Sequence, residues 1–66
     1  MNTVEILNKI NAHQIETGSA ITTNELGLGN NTYHALGALE FLGFIIRFQE
    51  NVVISYEGLK ALKVMQ

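Results

Sequence analysis

A mainly helical α+β domain is predicted by three observations. Apolar residues recur at helical spacing in the first third of the chain. A capping-box pair, Thr22 and Glu25, precedes a glycine turn. Two β-branched runs flank the polar pair Gln49-Glu50. The expected architecture is a three-helix core, a two-stranded β-hairpin and a C-terminal helix, all in a single domain over residues 1–66.

Thr3 to about Thr17 reads as an amphipathic helix. Val4, Ile6, Leu7, Ile10 and Ile15 make up its apolar stripe, with Glu5, Asn8, Lys9 and Asn11 on the other face. Asn2 or Thr3 is placed to cap it, Glu5 sits where the helix dipole favours a carboxylate, and Gly18 is a natural stop. Ser19-Ala20-Ile21 reads as a short extended piece. The Thr22–Glu25 box then opens a brief helix anchored by Leu26.

Gly27-Leu28-Gly29-Asn30-Asn31 reads as a turn, because glycine permits positive φ and asparagine can cap the next helix. That third helix is expected from Asn31 or Thr32 to Leu42. Thr32, Leu36 and Leu39 face inward, Leu42 or Gly43 closes it, and Gly37 sits mid-helix. Phe44 to Phe48 and Asn51 to Ser55 are the strands. Their tight loop holds Gln49 and Glu50 and extends to Asn51 if that residue takes up positive φ. Glu57 to Met65 is a last helix, with Leu59, Leu62 and Met65 facing inward and Ser55 or Tyr56 near its cap.

Two short helices joined by a glycine turn, with a hairpin after them, form a winged helix-turn-helix order. The segment Ala35-Leu36-Gly37-Ala38-Leu39-Glu40-Phe41-Leu42-Gly43-Phe44-Ile45 resembles the winged-helix repressor pattern A-L-x-x-L-E-x-x-G-h-I. Val53-Ile54-Ser55-Tyr56-Glu57-Gly58-Leu59-Lys60-Ala61-Leu62 resembles the segment that closes the wing and opens the final helix in that family. The likeness covers about residues 19 to 63. It implies a third helix set in the major groove, a wing on the backbone or minor groove, and homodimers on palindromic sites. The sequence departs from the pattern where the family carries arginine or lysine, holding Tyr33, His34, Gly37 and Ala38 instead, and the turn is one residue shorter.

Bulk composition sets limits on function. Sixty-six residues with 47% hydrophobic and 15% charged side chains are too apolar for disorder, yet too few for a generous core. Surplus apolar surface in so small a chain points to a second copy or another partner. The chain has no cysteine, which excludes disulfides and thiolate metal sites. His13 and His34 stand without the three or four converging ligands that a metal requires. No nucleotide-binding or hydrolase motif occurs and the acidic residues are dispersed, so neither an enzyme nor a cofactor is expected. The N-terminus lacks a signal-peptide pattern, and the longest apolar stretch, residues 35–48, contains Glu40 and Arg47 and is too short to span a bilayer. The expectation is a cytoplasmic protein without a membrane partner.

The expected function is that of a small DNA-binding transcriptional regulator, prokaryotic or viral, acting on double-stranded DNA as a homodimer. Asn30, Asn31, Thr32, Tyr33 and His34 crowd the start of the third helix, where asparagine pairs with adenine and threonine meets a thymine methyl. Arg47 and Asn51 are the wing residues placed to contact the backbone or minor groove. The same residues also have plain structural roles, as caps, turn formers and a solvated cation. A net charge of −2, with only Lys9, Arg47, Lys60 and Lys63 positive, opposes this reading, because phosphate neutralisation supplies most non-specific affinity.

The rival expectation is a winged-helix protein-interaction module, an accessory or virus-encoded modulator of a larger complex with no DNA binding of its own. Tyr33, Gly37, Ala38 and Phe41 would be its contact face, a small apolar surface suited to a protein. Phe41 has an alternative role, folding back onto the wing as core. The first and last helices, with Ile15, Leu59, Val64 and Met65, are a second candidate dimer surface.

Overall fold

A computed structural model describes residues 2–65; Met1 and Gln66, at the ends of the expected domain, lie outside the described residues. Helix α1 spans Thr3–Thr17. Asn2 caps it, its Oδ1 accepting the Glu5 N–H at 2.9 Å, and Gly18 ends it at φ +72°. Ile6, Leu7 and Ile10 are buried, whereas Ile15 is 75% exposed. At 3.6 residues per turn, the five-residue step from Ile10 rotates Ile15 by about 140° from the buried stripe. Sequence spacing places it inward, and helix geometry turns it out.

Strand β1 (Ile21–Thr22) leads into the one-turn helix α2 (Thr23–Leu26). The capping box forms as expected. Thr22 Oγ1 accepts the Glu25 N–H at 3.2 Å, and the Glu25 carboxylate accepts the Thr22 N–H at 3.3 Å. A 3₁₀ turn at Gly29–Asn31 carries the chain into α3 (Thr32–Phe41). The hairpin strands are β2 (Ile45–Phe48) and β3 (Asn51–Ile54), and α4 spans Tyr56–Met65.

The sheet is three-stranded and antiparallel, in the order β1-β3-β2. The expected two-stranded hairpin thus gains a strand from the extended piece before α2. Ile21 pairs with Val52 and Thr22 with Asn51, because Ile21 and Val52 each bury an apolar side chain at that position. The helices pack α1 against α2, β1, β3 and α4, and α3 against β2. Leu7, Ile10, Leu26, Leu36 and Val52 are fully buried at the centre.

Leu42 closes α3 as expected, 56% exposed where the chain reverses through Gly43 at φ +80°. Phe44 then packs partly buried against the core. Two other details differ from the sequence expectation. Met65 is exposed, because Leu62 is the last α4 side chain to reach the core. In the hairpin loop the positive φ falls on Gln49, at +57°, and Asn51 belongs to β3.

Gly58 is required by a close crossing of two backbone segments. The Phe44 carbonyl lies against it so tightly that a Cβ would overlap this oxygen and come within 2.8 Å of Ile54 Cγ1. Ser55 fixes the crossing: its N–H donates to the Phe44 carbonyl at 2.9 Å, and its Oγ accepts the Gly58 N–H at 3.0 Å. Among the described residues no helix is long and apolar enough to cross a membrane.

Candidate nucleic-acid interface

The start of α3 is held from beneath. Leu26 and Leu36 are fully buried on either side of the turn, Leu28 packs against the core, and Gly27 ends α2 at φ +67°. Thr32 is itself buried, and its hydroxyl donates to the Gly29 carbonyl at 2.6 Å. Its side chain thus braces the turn. Asn30, Asn31, Tyr33 and His34 are left exposed at this end of the helix. Asn31 precedes the helix without a side-chain cap hydrogen bond, and its side chain is exposed.

The hairpin closes against this region through Glu50. Thr23, buried at the first position of α2, donates its hydroxyl to Glu50 Oε2 at 2.6 Å. Tyr33 donates its phenol hydroxyl to the same oxygen at 3.2 Å. The Thr23 hydroxyl, then that of Tyr33, holds the Glu50 carboxyl below the usual glutamate range, with Arg47 adding a smaller attraction. An ionised carboxylate therefore stands beside the exposed polar residues of α3. Sequence reasoning places Glu50 only as a loop residue, since its partners are remote in the chain.

Arg47 lies on the α3 side of β2. Its guanidinium carbon sits 5.5 Å from the centre of the Tyr33 ring, and Nη2 is 3.8 Å from Glu40 Oε1. The cation is thus stacked and partly neutralised by α3. Asn51 is exposed at the hairpin end, opposite Phe48. Lys9 donates to the Leu26 carbonyl at 3.1 Å, where it caps the end of α2. Lys60 lies over the Tyr56 ring at 5.4 Å, and Lys63 lies in the last turn of α4.

Of the expected protein-contact residues, Tyr33, Ala38 and Phe41 are exposed and Gly37 is half-buried with open space beside it. Phe41 is 90% exposed, so it does not fold back onto the hairpin as core. Leu42, Ile46 and Phe48 add to the apolar surface at 56%, 58% and 71%. Sequence reading gives Ile46 and Phe48 no role, although their alternation with buried Ile45 is the available signal.

His13 lies in α1, its Nδ1 3.7 Å from Glu25 Oε2, beside an open cleft of about 360 Å³ that Lys9 and Glu16 also line. Among the described residues no cluster of three histidine or carboxylate side chains is placed to hold a metal ion. Comparison of the chain with protein-family models, with curated proteins and with solved structures finds no match.

Proposed function

We propose that the chain is a winged helix-turn-helix domain that binds double-stranded DNA and regulates transcription. The observation that carries this reading is the placement of Asn30, Asn31, Tyr33 and His34 in the open at the N-terminal end of α3, beside a β2–β3 hairpin. Such a helix end offers backbone N–H groups to phosphate and amide side chains to base edges. The order α1-β1-α2-α3-β2-β3, with β1 paired to β3, supports the winged-helix assignment. Arg47, held between Tyr33 and Glu40, is the cation nearest this surface and positions the backbone.

A low-salt titration with mixed genomic DNA fragments tests the reading. A retarded complex that dissolves as salt rises is expected, with a shallow salt slope because few cations meet phosphate. Arg47→Ala weakens binding about equally across sequences, and Asn31→Ala relaxes base preference. DNA that stays unretarded at the lowest salt rejects the proposal.

A second reading, a protein-binding winged helix in a larger complex, is favoured by one observation: the Glu50 carboxylate stands among the exposed residues of α3. An anion at that position repels phosphate and suits a protein surface. It predicts no DNA complex and a partner that shields Tyr33 and Phe41 from chemical labelling.

A further inference from the structure

The order β1-β3-β2 leaves β2 at the edge of the sheet. The Ser55 N–H donates to the Phe44 carbonyl, so Phe44 and Ser55 are a hydrogen-bonded pair. Alternation along the antiparallel ladder then bonds Ile46 to Val53 and Phe48 to Asn51. The backbone groups of Ile45 and Arg47 consequently face outward from the free edge. Natural edges are usually blunted by charge, proline or a bulge, since an open one accepts another strand. Here Ile46 and Phe48 are apolar and largely exposed, and the one charge in the strand is already paired with Glu40.

We propose that β2 is the dimerisation strand, pairing antiparallel with β2 of a second copy to make a continuous six-stranded sheet. A twofold axis at Ile46 sets that residue opposite its own copy, Ile45 opposite Arg47, and Phe48 opposite Phe44. This register uses the outward backbone groups of Ile45 and Arg47 in both chains. Such a contact is isologous, as a closed dimer requires.

Two arguments select a second copy as the occupant. The first is charge: with Arg47 balanced by Glu40, the segment from Glu40 to Phe48 brings no net charge to a copy of itself. The second is area. Ile46 and Phe48, at 58% and 71% exposed on the same face of β2, offer on the order of 200 Å² together, given about 150–250 Å² per aromatic side chain. With the paired strand backbone this makes a contact smaller than the roughly 800 Å² per partner of a standard interface, which suits a dimer that forms at the upper end of a concentration series. The proposal stands apart from DNA binding and is tested without DNA.

Sedimentation equilibrium of the full chain over a wide concentration series should give twice the 7.3 kDa chain mass at the upper end. Ile46→Lys and Phe48→Lys, at exposed positions, should keep the circular-dichroism spectrum and weaken the dimer roughly tenfold or more. Ile46→Cys adds the sole cysteine of the chain. In a non-hydrogen-bonded pair its Cα atoms would stand about 4.5 Å apart, within disulfide range, so mild oxidation should crosslink it. Val64→Cys, on the exposed face of α4, should stay uncrosslinked. A monomer at every concentration, a dimer unaffected by either lysine, or crosslinking at position 64 in place of 46 would overturn the proposal.

Discussion

Thr23 and Glu50 are joined twice: the Thr23 N–H donates to the Glu50 carbonyl at 2.9 Å, and the Thr23 hydroxyl donates to the Glu50 carboxylate at 2.6 Å. The first bond carries the β1–β3 pairing one residue past Thr22 and Asn51. The second turns a loop carboxylate inward, onto the first residue of α2. The hairpin tip is therefore docked on the helical unit, and through Tyr33 it is docked on α3 as well. A hairpin held this way keeps its tip beside the α3 N-terminus.

Acid should loosen that docking. Glu50 and Glu25 both have pKa values lowered by threonine hydrogen bonds, from Thr23 and Thr22 respectively. A carboxyl whose folded pKa is depressed stabilises the fold above its unfolded value, about 4.3, and loses that contribution as pH falls through the folded value. The melting temperature is expected to hold steady above about pH 5 and to fall progressively below about pH 4. Glu50→Gln should melt lower than the parent at neutral pH and show a shallower acid decline. Parallel curves for the two chains, measured by circular dichroism, would remove Glu50 from the account.

Gly37 and Gly58 both lie in helices and should respond oppositely to alanine. Nothing lies within 4 Å of a Cβ at Gly37, so Gly37→Ala should stabilise by about 0.5–1 kcal/mol through helix propensity. Gly58→Ala meets the Phe44 backbone, which cannot yield as a side-chain end can, and should cost about 1–3 kcal/mol or more. In a domain of this size each kcal/mol moves the melting temperature by roughly 4–8 °C. Thermal melts of the two variants decide it; the same sign for both would contradict the packing described at Gly58.

The capping box at the entry to α2 should be visible in stability, because a helix of four residues has little else to set its start. Thr22→Ala is expected to destabilise by about 0.5–2 kcal/mol, and Thr22→Ser by less, since serine keeps the accepting oxygen. Glu25→Ala added to Thr22→Ala should change little further, as the two side chains act as one reciprocal unit. Urea denaturation of these three variants and of Glu25→Ala alone measures this. Full additivity would mean that the bonds at 3.2 and 3.3 Å work independently.

How much is legible in the sequence depends on the range of the cause. Caps at Asn2 and Thr22 and stops at Gly18 and Gly43 are set by residues within three or four positions, and all appear where sequence reasoning puts them. Ile15 and Met65 turn outward instead, because a periodic pattern counts apolar residues without knowing where rotation or the end of the core takes them. Within the candidate site, exposure of Asn30, Asn31, Tyr33 and His34 agrees with their place at the start of α3, whereas Thr32 turns inward to brace its own turn.

The succession of helices and strands, and the residues that begin and end them, are written along the chain, because local hydrogen bonds and backbone φ make those choices. Packing in three dimensions was needed to recruit the short extended piece into the hairpin as a third strand. It also set Gly58 under the Phe44 carbonyl and shared Glu50 between Thr23 and Tyr33. Those contacts join residues 14 to 31 positions apart, and their partners are chosen by how the buried face of each element meets the others. That packing leaves the edge of β2 open and sets an acidic group beside the exposed end of α3.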